Sequence, residues 1–194
     1  MSRRSESTRS TGETAVNVTL DLDGSGVSDV STGLGFLDHM LTTLSRHSGF
    51  DLALSAVGDL DVDDHHTVED CAIVLGRALG EALGDRAGIA RFGHAYAPLD
   101  ESLCRAVVDL SGRPWVEVNL PFARPVIGQV ATENLVHFLK SLAIESRMAL
   151  HLDLIRGDND HHKAESAFKA LALALQAAVK QSGSSVPSTK GSLT

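Results

Sequence analysis

Asp64-His65-His66-Thr67-Val68-Glu69 and Asp160-His161-His162-Lys163-Ala164-Glu165 are two versions of one phrase, one in each half of the chain. A lone histidine precedes each at a similar distance, His39 before the first and His137 before the second. The surroundings repeat as well. Ala15–Leu22 alternates apolar and polar residues, as a half-buried strand does. Asp23-Gly24-Ser25-Gly26 reads as a hairpin turn, with Val27–Ser31 as the returning strand. From Leu34 to Ser45 the period becomes helical, with Leu37, Leu41 and Leu44 on one face and Gly49 as the stop. Asp51–Val57 alternates again, and Thr67–Leu83 sets Val68, Ala72, Leu75, Leu79 and Leu83 at helical spacing.

The second half follows the same order. Leu103–Leu110 and Trp115–Leu120 read as a hairpin around Ser111-Gly112-Arg113-Pro114. Thr132–Met148 reads as a helix capped by Thr132, Leu150–Ile155 as a strand, and Ala164–Gln181 as an Ala/Leu-rich helix. Strand–strand–helix–strand–helix is thus written twice, which predicts a duplicated unit. Helices on one face of each sheet let the halves pack together, so the expected class is a layered α+β fold. Residues 1–12 and Ser182–Thr194 read as flexible tails.

Bulk properties fit one globule. The chain has 194 residues, 43% hydrophobic and 22% charged, enough for one shared core. A net charge of −8 argues against a general nucleic-acid binder, which needs a basic face, yet it permits a locally positive anion site. No apolar run approaches the roughly 20 residues of a bilayer span, and Met1–Ser10 lacks the apolar stretch of a secretory signal. A cytoplasmic protein with no membrane partner is expected by default. Cys71 and Cys104 have apolar neighbours and no Cys-x-x-Cys spacing, so two buried reduced thiols are expected.

On a helix, positions four apart share a face with Cβ atoms about 5–6 Å apart. His65 and Glu69 therefore close on one metal, and His161 and Glu165 on another. His66 and His162 are turned by about 100° from their neighbours and reach elsewhere. Two ions are expected, each held by a His-x-x-x-Glu pair from one half and a single histidine, His39 or His137, from the other. With the turned His66 or His162 reaching another ion, each ion would have three imidazoles and one carboxylate, with room for water or substrate. Asp64 and Asp160 either cap the helices or fix imidazole tautomers. Imidazole suits Zn, Fe, Ni or Cu and carboxylate suits Mn or Mg, so the residues alone leave the metal open. His94 and His151, without such company, read as ordinary side chains. Arg91, Arg113, Lys169 and Lys190 suit a phosphate held beside metals. Neither a Walker loop nor a Gly-x-Ser-x-Gly elbow is present.

Gly35-Phe36-Leu37-Asp38-His39-Met40-Leu41, Asp64–Asp70, Ser111-Gly112-Arg113-Pro114 and Asp160–Glu165 resemble the signatures of imidazoleglycerol-phosphate dehydratases. The resemblance runs from about Glu13 to Lys190. It implies a hydro-lyase of histidine biosynthesis that converts imidazole glycerol phosphate to imidazole acetol phosphate. It implies two similar halves, about 13–95 and 96–181, each a four-stranded sheet carrying two helices, with the helices inside. It further implies two Mn2+ per active site, assembly of trimers into a 24-mer, and sites lying between subunits. One ion would take His39, His66, His161 and Glu165, and the other His65, Glu69, His137 and His162. Glu13 and His47 match positions at the substrate pocket and are the expected catalytic pair. Arg91, Arg113, Lys169, Ser188 and Lys190 match phosphate-binding positions, while His39, His65, Glu69 and His161 also face substrate. Thr43 stands where many members carry Gln. The chain is too short for the histidinol-phosphatase domain fused to some relatives.

The chemistry expected is a dehydration without an adjacent carbonyl. A substrate ring bound to metal through both nitrogens becomes imidazolate and expels hydroxide, leaving a diazafulvene. A base then removes the neighbouring proton, and the enol relaxes to the ketone. Glu13 is the expected base, with a metal-bound water or another carboxylate as rivals. Two other readings compete. A dinuclear phosphoester hydrolase would need a carboxylate bridging ions about 3.5–4 Å apart. A metal-storage oligomer would have closed sites and no use for the arginines.

Overall fold

The computed structural model describes residues 3–189 and Leu193. Lys190, one of the expected phosphate ligands, lies outside the described residues. In the first half Val16, Val18 and Leu20 point to one side of their strand and Asn17 and Thr19 to the other, so one face is buried and one is not. The elements are β1 (Arg4–Ser10), β2 (Thr14–Asp21), β3 (Ser28–Ser31), α1 (Gly35–Ser48), β4 (Asp51–Gly58) and α2 (His65–Leu83). The second half comprises β5 (Phe92–Leu99), β6 (Ser102–Asp109), β7 (Trp115–Asn119), the short β8 (Val126–Ile127) and β9 (Val130–Ala131), then α3 (Thr132–Glu145), β10 (Ala149–Arg156) and α4 (Asp160–Val179).

The two sheets share one topology. Their orders are β1-β2-β4-β3 and β5-β6-β10-β7, and in each the last strand pairs in parallel. Helices α1 and α2 cover the first sheet, and α3 and α4 the second. Helix α1 then packs on α4, and α2 on α3, giving a sheet–helix–helix–sheet sandwich with the helices inside. Phe138 and Phe168 meet at its centre with ring centroids 5.7 Å apart, both fully buried. At the α2–α3 crossing Gly76 permits close approach: a methyl group there would stand 2.7 Å from Glu145 Cβ and 2.8 Å from the Leu142 carbonyl oxygen.

Several local expectations are corrected. Residues 4–10 are not a tail but the edge strand β1, paired along its length with β2. Its inward positions are Ser5 and Ser7, whose hydroxyls donate to Ala78 O (2.7 Å) and Glu81 Oε2 (2.9 Å), so it shows no apolar alternation. Neither expected hairpin exists. Strand β3 crosses to pair with β4, its entry turn held by Ser25 and Val27 N–H groups on Asp51 Oδ1. Strand β10 lies between β6 and β7. The partner on the far side of β6 is β5, whose pattern is inverted: Phe92 and Tyr96 face out, while Gly93 and Ala97 face in. Small inward residues are required because α4 lies close. A methyl on Gly93 would stand 1.9 Å from Ala174 O. Thr132 is not a cap but the first residue of α3, after Ala131. Residues 182–183 are pinned by their N–H groups to Gly88 O, and Ser185 O accepts from Gly88 N, so this stretch is held rather than loose.

Candidate metal centre and anion pocket

Both histidine pairs fall in the first turn of a helix, in α2 and α4. In the first cluster α4 presents His161 and Glu165, and α1 presents His39. Nε2 of His39 lies 3.0 Å, and Nε2 of His161 3.3 Å, from Glu165 Oε2. In the second, α2 presents His65 and Glu69 and α3 presents His137, whose Nε2 lies 2.9 Å from Glu69 Oε1. The rings of His65 and His137 stack with centroids 5.2 Å apart. Within each trio one donor atom per residue lies within 4.8 Å of the others. Two imidazoles and a carboxylate converging at this spacing fit a divalent transition metal. Each trio joins a His-x-x-x-Glu pair from one half to a lone histidine from the other.

His66 and His162 join neither trio within one chain. His66 Nδ1 is 3.0 Å from Asp59 Oδ2, and His162 Nδ1 is 2.7 Å from Glu101 Oε2. These carboxylates raise the pKa of both rings, outweighing desolvation, and His162 in turn holds Glu101 well below the usual carboxylate range. Burial pushes Glu165 upward, but the Lys169 ammonium 2.7 Å away and His39 overcome it, leaving its pKa at about 2.

Asp64 and Asp160 neither cap their helices through side-chain bonds nor touch an imidazole. Asp64 accepts from Ala131 N, and Asp160 from the Ala123 and Arg124 amides and from Lys163. Asn159 is the cap of α4, accepting from His161 N. The imidazole partners are Asp59, Glu101 and Asn134, the last with Oδ1 3.0 Å from His65 Nδ1. The Phe36 ring packs beside both His39 and His161, whose own rings are 5.7 Å apart. The duplication offers no route to Asp59, which follows β4, whereas Glu101 on the β5–β6 turn is the counterpart of Glu13 on the β1–β2 turn.

Glu13 sits on the β1–β2 turn, with its carboxylate 3.9 Å from His66 Nε2. That turn is pinned to α2: Arg9 Nε donates to Asp70 at 2.7 Å, and the Thr14 hydroxyl donates to the other Asp70 oxygen. His47, in the last turn of α1, has its pKa lowered by burial and then by Lys169. Arg91, Arg113 and Ser188 line one cavity of 510 Å³ with Phe92, Pro187, Thr189 and Leu193. Arg91 is oriented there by Asp109, which accepts from it at 2.7 and 3.0 Å, and by Pro187 O at 2.8 Å. Among the described residues no member of either metal trio lines that cavity, and Lys169 is not part of it. Thr43 is buried in α1, and His94 and His151 lie on the outer face of the second sheet, across β6 from one another.

The family model for imidazoleglycerol-phosphate dehydratase matches residues 32–175. The chain belongs to the imidazoleglycerol-phosphate dehydratase family. The dehydratase of Methanothermobacter thermautotrophicus is 56% identical over 191 residues, covering 98% of each protein. That of Gluconobacter oxydans is 53% identical, covering 99% of this chain and 98% of the relative. That of Phytophthora nicotianae is 56% identical, but the chain spans only 42% of its length. Among solved structures, imidazoleglycerol-phosphate dehydratase from Staphylococcus aureus superposes with a TM-score of 0.84 at 38% identity, over 92% of this chain and 99% of that one. The Pyrococcus furiosus enzyme, solved in complex with (S)-C348, gives 0.82 at 35% identity, over 95% and 99%. Membership in the dehydratase family and the double sandwich thus agree. Among the described residues of this dehydratase no helix is long and apolar enough to cross a membrane.

Proposed function

We propose that this member of the family removes water from imidazole glycerol phosphate to give imidazole acetol phosphate, using two Mn2+ ions per active site. As a dehydratase of histidine biosynthesis it is a hydro-lyase. The observation that carries the reading is the pair of matched His–His–Glu trios. His39, His161 and Glu165 would hold one ion, and His65, Glu69 and His137 the other. His66 and His162 belong to neither trio, and we assign them as fourth ligands delivered to neighbouring subunits. On this reading, and by the family resemblance, the protein works as a homo-oligomer in which trimers build a 24-mer. When bound, the two ions supply Lewis acidity toward the nitrogens of the substrate ring.

The chain's own groups then divide the work. Arg91, Arg113 and Ser188, with Lys190, would grip the phosphate, the guanidinium groups through two parallel bonds each. His39, His65, Glu69 and His161 would face the substrate ring. Glu13 would take the proton from the carbon, its turn fixed by Asp70. His47 is neutral near pH 7 because burial and Lys169 depress its pKa, so it can accept a hydrogen bond or a proton from substrate. Lys169 would add positive charge beside the first trio. The phosphoester-hydrolase alternative is less well supported. Among the described residues no carboxylate belongs to both trios, so the chain offers no shared ligand of the kind that chemistry requires. Cys71 and Cys104 are free and buried, in keeping with a proposed cytoplasmic location.

The test is direct. Manganese-loaded protein mixed with imidazole glycerol phosphate should form the ketone, and metal-stripped protein should not. Release of inorganic phosphate in place of the ketone would establish the hydrolase.

A further inference from the structure

Residues 121–131 run from one metal trio to the other. At one end Asp160, buried and directly before His161, accepts from Ala123 N at 3.2 and 3.0 Å and from Arg124 N at 2.6 Å. Lys163 Nζ is 2.9 Å from Asp160 Oδ1 and 3.4 Å from Pro121 O. At the other end Ala131 N donates to Asp64 Oδ2 at 2.8 Å, and Asp64 directly precedes His65. Thr132 closes the loop on itself: its N–H donates to Pro125 O and its hydroxyl to Arg124 O, each at 2.9 Å. The β8–β9 tip rests on Phe36, where a methyl on Gly128 would stand 3.3 Å from Phe36 Cβ. The Phe36 ring lies 5.1 Å from that of His161 and 6.4 Å from that of His39. The chain then enters α3, whose first turns carry Asn134, bonded to His65, and His137.

Each helix that presents a ligand is therefore tied to this segment: α4 by Asp160, α2 by Asp64, α1 by Phe36 and α3 by covalent continuation. Packing alone does not call for a buried ion pair, since burying Asp160 and Lys163 costs desolvation that an apolar pair would avoid. Their directional bonds fix the backbone beside His161 instead. We propose that residues 121–131 form a strap linking the two trios, so that the ligand spacing in each depends on anchors at both ends. Asp64, Asp160, Lys163 and Thr132 are positioning residues in this scheme, and the inference rests on the metal-binding reading above.

The strap predicts action at a distance, which a local structural role does not. In a His39→Ala background the His65–Glu69–His137 trio is the intact one, and its Mn2+ dissociation constant is read by calorimetric titration of the full-length protein. Adding Asp160→Asn, at the far anchor, should weaken that trio about tenfold or more, the range seen when groups supporting metal ligands are lost. An unchanged dissociation constant overturns the strap. Should Asp160→Asn fail to fold, Thr132→Val removes the hydroxyl's bonds to Arg124 O and Pro125 O and loosens the loop without touching an anchor. It should weaken Mn2+ binding at both trios, tested in His39→Ala and His137→Ala backgrounds, while Thr132→Ser restores the wild-type value. Equal binding by Thr132→Val and wild type overturns the strap. Wild-type protein that takes up no Mn2+ would instead defeat the metal reading, so the two failures are distinguishable.

Discussion

Glu101 Oε2 lies 2.7 Å from Nδ1 of His162, which leaves Nε2 of that ring, 3.8 Å from Asp100 Oδ2, as the nitrogen open to a metal. Asp59 does the same for His66, and Asn134 for His65. Within the trios, too, Nε2 of His39, His137 and His161 faces the carboxylate. Groups that hold the remote nitrogen fix ring orientation and raise ligand basicity, and their loss commonly costs about 10–100-fold in metal affinity. Glu101→Ala should therefore weaken one of the two Mn2+ sites by about that factor and leave the other intact. Calorimetric titration that shows two unaltered sites would separate Glu101 from metal binding.

The same bonds set a pH dependence. In the metal-free fold the pKa of His66 and His162 is raised, so both rings stay protonated to a higher pH than a free histidine. Metal requires the neutral ring, so loading near neutral pH must expel these protons, and uptake must fall as pH drops through the raised values. Asp59→Asn removes the main cause at His66 and should reduce the number of protons released on Mn2+ binding at pH 7. Calorimetry in buffers of different ionisation enthalpy counts them. In the metal-free fold the signs also bound the Glu101–His162 pair. Its stabilising effect is lost as pH rises through the raised histidine pKa, and lost again as pH falls through the depressed carboxylate pKa.

Glu13 stands on a turn fixed by Thr11, whose hydroxyl accepts from the N–H groups of Glu13 and Thr14, and by the Asp70 anchor on α2. A positioned general base contributes about 10²–10⁴-fold. Glu13→Gln should lower turnover by that much with full metal content. Wild-type turnover in this variant would remove Glu13 from the chemistry.

His66 lies outside both trios and is assigned to a neighbouring subunit's ion. His66→Ala should lose one ion per chain and form a smaller particle, read by elemental analysis and light scattering. A full metal complement in the variant would contradict the assignment.

The ligand-bearing helices were legible because they are long and periodic, and the trios because i,i+4 geometry is local. The lone histidines paired across halves because the phrase is repeated. Strands β1 and β5 were not legible. Their buried positions hold Ser5, Ser7, Gly93 and Ala97, sizes and polarities imposed by α2 and α4 and invisible to an apolar count. The crossovers into β3 and β7 are hidden because turn chemistry at Asp23–Gly26 and Ser111–Pro114 resembles that of a hairpin, whereas strand order is decided by distant partners. Asp64 and Asp160 read as caps or imidazole partners from their place beside the histidines, yet they accept from amides of the 121–131 segment, far away in sequence.

The second trio depends on how closely α2 and α3 approach, since one carries His65 and Glu69 and the other His137. Gly76 sets that approach at a point where a methyl would meet Glu145 Cβ at 2.7 Å and Leu142 O at 2.8 Å. Glycine inside a helix is about 1 kcal/mol worse than alanine by propensity, so an open site would gain from Gly76→Ala. Overpacking typically costs about 1–3 kcal/mol, and here the obstructing atoms belong to backbone and Cβ, which yield little. The overpacking cost should win: urea unfolding of the metal-free protein should show a net loss of up to about 2 kcal/mol. Mn2+ binding should weaken more at the His65–Glu69–His137 trio than at His39–His161–Glu165, which bridges α1 and α4. Raised stability in Gly76→Ala would mean that α2 and α3 can part without cost, and that Gly76 does not set the spacing of the ligands.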